Sequence, residues 1–126
     1  MPVAYWCVLI AALLPLFTVG SAKVGRGYDN HNPRAWLDRL EGWRKRADAA
    51  HRNHFEAFPF FAAGVIIAQQ MHVAQGTIDL LALTFIAARV VYTLLYLADL
   101  AALRSLAWAV GYGCVVALFV HAAQVG

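Results

Sequence analysis

Four stretches of this chain are apolar enough to cross a bilayer, which narrows the folds open to it more than any motif does. Residues 1–22, 57–78 and 105–126 contain no Asp, Glu, Lys or Arg, and residues 80–98 contain only Arg89. A bilayer core requires roughly 20 apolar residues per helix, so each stretch is long enough. The sequence therefore predicts an all-α fold, an integral membrane four-helix bundle. Its helices are expected at about 3–23, 44–72, 77–99 and 103–123, joined after the first by a loop over about 24–43.

Composition agrees with that reading. Of 126 residues, 62% are hydrophobic and 13% charged, far from the balance of a soluble globular domain. The length allows one domain, residues 1–126. Eight Lys or Arg and five Asp or Glu fall within residues 23–56, and they account for the whole formal charge of +3. Basic residues clustered beside a span act as an orientation signal, which argues against a nucleic-acid partner. They place the 24–43 loop in the cytoplasm and both termini on the opposite side. Gly20, Ser21 and Ala22 look like a signal-peptide cleavage site. No cation precedes the run, however, and it is longer than the usual ~7–15-residue signal core. Cys7 and Cys114 fall inside predicted spans and read as buried thiols.

Pro15 and Pro59 are expected to bend their helices. Gly25, Arg26, Gly27, Asn30 and Pro33 give a loop composition, after which Trp36, Leu40 and Trp43 recur among charged residues. That pattern suits a helix at headgroup level, with Trp on its apolar side. In the last span, Ala109, Gly113 and Ala117 are spaced for close helix approach.

The remaining polar residues converge. Four hairpin-connected spans bring Lys23, the Arg52, Asn53 and Glu56 group, the Arg89, Tyr92 and Tyr96 stripe, and Arg104 with Ser105 to one leaflet. Arg52 and Glu56 are four apart and share a helix face, and Arg89, Tyr92 and Tyr96 follow three-and-four spacing. The free N–H groups near the start of the last helix favour an anion. The set reads as an anion-binding cleft half sunk in the membrane. An ionised Arg89 at that depth costs several kcal/mol unless paired, and Glu56 is the acidic candidate. That pair serves equally well as a structural strut, and the tyrosines as interfacial belt residues. His51 and His54 are three apart, but no second ligand set accompanies them, so no metal is expected.

These residues, in this order, resemble the membrane-associated proteins in eicosanoid and glutathione metabolism. The run AHRNHFE over residues 50–56, followed by Phe58, Pro59 and Phe60, looks like that family's second-helix signature. The run RVVYTLLYL over 89–97, followed by Arg104 and Ser105, looks like its third and fourth helices. Tyr28 to Asn30 and Asn32 to Arg34 look like the loop of its bacterial branch, which implies a bacterial inner membrane.

The resemblance implies a homotrimer that binds glutathione between subunits and acts on a lipophilic small molecule drawn from the membrane lipid. Arg104 would be catalytic, stabilising the thiolate that is the true nucleophile. Lys23, Arg52, Asn53, Glu56, Arg89, Tyr92, Tyr96 and Ser105 would bind the tripeptide, Glu56 taking its amino group. The chain departs from the pattern at Ala49, where some members carry Arg, at Trp108, where some place Tyr, and at Tyr92, where some have His. The activity so implied is a glutathione-dependent transferase or peroxidase. The alternative is a non-catalytic membrane scaffold, or a binder of another small anion or lipid.

Overall fold

A computed structural model describes residues 1–23 and 27–125. The Gly25 and Arg26 part of the expected loop lies outside the described residues. Helices are the only regular elements among the described residues: α1 Val3–Lys23, α2 Pro33–Asp38, α3 Gly42–Gln70, α4 Gln75–Leu97 and α5 Ala101–Val125. The four long helices pack together, α1 on α3 and α4, and α5 on α3 and α4, while α2 packs on α3 alone.

Each long helix buries one stripe. On α4 the stripe is Ile78, Ala82, Phe85, Arg89 and Tyr92, so Arg89 continues the apolar register rather than leaving it. On α3, Ala47, Ala50, His54, Phe61, Val65 and Ala68 face inward, which brings His54 to the same seam. The apolar core joins Cys7 and Ala11 of α1 to Phe61, Phe85, Val115 and Leu118, and the Phe61 and Phe85 rings stack at 3.9 Å. Small residues govern these contacts, because lipid tails give helices no hydrophobic reason to associate and close packing must do so instead. A Cβ on Gly64 would come within 3.4 Å of Leu118 and Phe119, and one on Gly111 within 3.7 Å of Ala88 and Phe85. Gly111, rather than the expected stripe of Ala109, Gly113 and Ala117, therefore makes the close approach. Ala109 and Gly113 face outward, and a Cβ on Gly113 would meet nothing.

Among the described residues, three helices are long and apolar enough to cross a membrane: α1, α4 and α5. The apolar run of α3 is shortened by Asn53, His54 and Glu56 at one end and by Gln69 and Gln70 at the other. The segment before α3 also differs from the expected headgroup-level helix. Helix α2 stops at Asp38, Glu41 is extended, and α3 begins at Gly42 with φ +64. Leu37 is the buried residue of α2, and Trp43 is exposed.

Both sharp interhelix turns use the same device. After α3, His72 has φ 60, and Val73 N–H donates to Ala68 while His72 N–H donates to Gln69. After α4, Asp99 has φ 62, and Leu100 N–H donates to Leu95 while Asp99 N–H donates to Tyr96. This paired pattern satisfies carbonyls that a helix end leaves open. Arg46 also donates to the Leu97 carbonyl at 3.0 Å, and Asp79 accepts the Ala4 N–H at 3.0 Å, so side chains close the end of α4 and the start of α1.

Candidate functional site

Arg89 is 2% exposed, and its guanidinium is enclosed by three polar or aromatic partners. Nη1 donates to Asn53 Oδ1 at 2.9 Å. Nε and Nη2 lie 3.2 and 2.9 Å from His54 Nδ1. Nδ1 must therefore be the acceptor, which leaves the ring hydrogen on Nε2, 2.9 Å from Thr93 Oγ1. Thr93 in turn donates to the Arg89 carbonyl at 2.9 Å. The guanidinium also lies 4.3 Å from the centre of the Tyr92 ring. Hydrogen bonds from a charged donor contribute about 1.5–3 kcal/mol each, which together offsets the several kcal/mol of placing this cation at membrane depth.

The expected Glu56–Arg89 ion pair is not formed. Asn53 stands between them, with Nδ2 donating to Glu56 Oε2 at 3.4 Å while Oδ1 accepts from Arg89. An amide can do both at once, which a direct pair with exposed Glu56 could not match without drawing Arg89 out of its buried stripe.

Tyr92 leads from this network to a cleft. Its ring meets Tyr96 edge-on at 5.6 Å, and the Arg104 guanidinium sits 4.4 Å from the centre of the Tyr96 ring. Tyr92, Tyr96, Arg104, Ser105 and Trp108 line a cavity of about 210 Å³ between α4 and α5. Arg104 lies four residues into α5, close to backbone N–H groups that favour negative charge. The tyrosine hydroxyls, the Ser105 hydroxyl and the guanidinium together can receive an anionic group, while the Trp108 ring supplies an apolar wall.

Arg52 belongs elsewhere within the subunit. It meets Asp38 of α2 at 2.5 Å and Asp48, one turn earlier on α3, at 3.2 Å. Arg52 donates to the Asp38 carboxylate, and the Asp48 carboxylate adds a second negative charge beside it. Arg34, Leu37, Asp38, Asp48 and Arg52 line a separate cavity of about 390 Å³. Lys23 points to the Tyr28 ring, 5.0 Å from its centre. The structure thus joins Asn53, Glu56, Arg89, Tyr92, Tyr96, Arg104 and Ser105 into one connected set and leaves Arg52 and Lys23 outside it.

Sequence reasoning missed four participants: His54, Thr93, Asp38 and Asp48. Two had a readable signal, since Thr93 is four residues after Arg89 and Asp48 four before Arg52. His54 had none, because a histidine partner for arginine is not a charge pair. His51, by contrast, turns Nδ1 to the Pro15 carbonyl at 2.8 Å and ties α3 to α1.

The model of the MAPEG family matches residues 3–124. No curated protein and no solved structure matches the chain.

Proposed function

The chain belongs to the MAPEG family, a multi-pass membrane protein by that membership and by its apolar helices, and from this we propose that it is a glutathione-dependent transferase or peroxidase acting on lipophilic electrophiles or lipid hydroperoxides. The observation that carries the proposal is Arg104, stacked on Tyr96 in a cleft with Tyr92, Ser105 and Trp108. A glutathione thiol has a pKa near that of free cysteine, about 8.5, so at neutral pH a nearby cation is needed to populate the thiolate. Arg104 supplies that charge, and Ser105 and the tyrosines supply donors. In conjugation the thiolate forms a carbon–sulfur bond as the electrophile's leaving group departs with its bonding pair, or as an activated double bond takes up the pair and then a proton. In peroxide reduction it attacks the outer oxygen, breaking the O–O bond to give a sulfenic acid and, after protonation, the alcohol; a second thiol then forms the disulfide and releases water.

In this reading α3 is the fourth span, and the subunit assembles as a homotrimer. Arg52, Asn53 and Glu56 of one subunit then hold the tripeptide whose sulfur lies at Arg104 of the next. Two observations support that division: Arg52 lines a different cavity from Arg104 within a subunit, and Ala109 and Gly113 present an exposed small-residue face, where a Cβ on Gly113 would meet nothing among the described residues. An apolar groove of about 520 Å³ on the same two helices, lined by residues such as Val91, Leu95, Leu103 and Leu106, suits a lipophilic co-substrate. The 24–43 loop faces the cytoplasm of a bacterial inner membrane, with both termini opposite.

A second reading, a non-catalytic scaffold or a binder of another small anion or lipid, draws support from one fact: Arg52 is already paired with two carboxylates of its own chain. Calorimetry on the detergent-purified protein separates the two. Glutathione binding at millimolar concentration or below, with thiol-dependent turnover of a lipophilic electrophile or hydroperoxide, is expected. Absence of both rejects the enzyme.

A further inference from the structure

The two carboxylates on Arg52 are held in very different ways. Asp48 is 2% exposed, its Oδ2 faces Arg52, and its Oδ1 has no hydrogen-bond partner. Parting Asp48 from Arg52 would strand a buried charge, which is strongly destabilising, so that contact is permanent. Asp38 is the last residue of the six-residue α2, and its side chain is 59% exposed. Exposed ion pairs are weak, and α2 touches no other helix than α3. With both carboxylates in place, Asp38 and Asp48 balance Arg34 and Arg52, and the neutral cavity does not attract an incoming anion. Without Asp38, the Asp48–Arg52 pair is neutral and Arg34 on the same cavity wall makes the site cationic.

We propose that Asp38 is a self-supplied carboxylate covering the ligand site at Arg52, and that a carboxylate of the bound tripeptide takes its place as α2 lifts from α3. The proposal rests on the glutathione reading above. It requires no new chemistry at Arg52, because one carboxylate replaces another on the same guanidinium. The cover therefore tunes affinity without forbidding binding. An exposed pair of this kind weakens a competing ligand by about two- to five-fold.

The test is calorimetric titration of the full-length protein in detergent with glutathione, comparing wild type with Asp38→Asn and Asp38→Glu. Asp38→Asn should bind about two- to five-fold more tightly, and Asp38→Glu, which keeps the carboxylate, should stay near wild type. Phenylglyoxal labelling of Arg52, read by peptide mass spectrometry, should be faster in Asp38→Asn. Equal affinity in wild type and Asp38→Asn, or an unchanged Arg52 labelling rate, overturns the cover while leaving glutathione binding intact. Weaker binding by Asp38→Asn also overturns it, since Asp38 would then contact the ligand itself. Binding by none of the three proteins overturns the glutathione reading and the cover together.

Discussion

Arg89 of α4 and His54 of α3 form a cation–imidazole contact that ties these two helices inside the bundle, with two guanidinium nitrogens 2.9 and 3.2 Å from His54 Nδ1. The pairing works because each end is anchored a second time, Arg89 on Asn53 and His54 on Thr93. Arg89→Ala should therefore cost about 3–5 kcal/mol, since it removes a buried group and strands its acceptors. Asn53→Ala should cost about 1–3 kcal/mol. Thermal unfolding in a single detergent, followed by tryptophan fluorescence, measures both. Equal, negligible shifts would contradict the network.

Arg52 tests the opposite side of α3. Arg52→Ala should destabilise the protein because Asp48 is left buried and unpaired. Adding Asp48→Asn removes that charge and should restore most of the loss. A double variant no more stable than Arg52→Ala would show that Asp48 does not depend on Arg52.

The tyrosines should separate structure from function. The Tyr92 and Tyr96 rings pack together, so Tyr96→Phe keeps the ring under Arg104 and should change stability by less than about 0.5 kcal/mol. Tyr96→Ala removes the cation–π contact, worth about 0.5–2 kcal/mol, and should weaken turnover more than Tyr96→Phe does. Steady-state rates with a soluble electrophile decide between them.

Glu56 is exposed and accepts a hydrogen bond from Asn53 at 3.4 Å. Glu56→Ala should accordingly leave unfolding temperature nearly unchanged while reducing glutathione affinity about ten-fold or more, as expected for losing a charged hydrogen bond to an ammonium group. Loss of folding in place of affinity would make Glu56 a structural residue.

Much of this organisation was legible in the residues themselves. The all-helical class follows from apolar runs of bilayer length, and the shared stripe of Arg89, Tyr92 and Tyr96 follows from their spacing. Expected and observed helices can be compared directly: 77–99 against Gln75–Leu97, and 103–123 against Ala101–Val125. What could not be read depends on partners distant in sequence. Glu56 is the natural counter-charge for Arg89 by sign, yet Asn53 and His54 prevail because His54 is buried and Asn53 half-buried on α3 while Glu56 points outward. Helical spacing groups Arg52 with the cleft, but a carboxylate on α2 and another one turn back on α3 hold it instead. The small residues Ala109 and Gly113 lie on the outer face of α5. Spacing finds a smooth face, and only packing shows which smooth face, here that of Gly111, meets a neighbour.

Ultraviolet difference spectroscopy of bound glutathione tests most directly whether Arg104 stabilises a thiolate. At neutral pH the wild-type protein should show thiolate absorbance on adding glutathione, and Arg104→Ala should bind glutathione with that absorbance lost. Glutathione bound to the wild type wholly as the thiol, or a thiolate signal undiminished in Arg104→Ala, would contradict it.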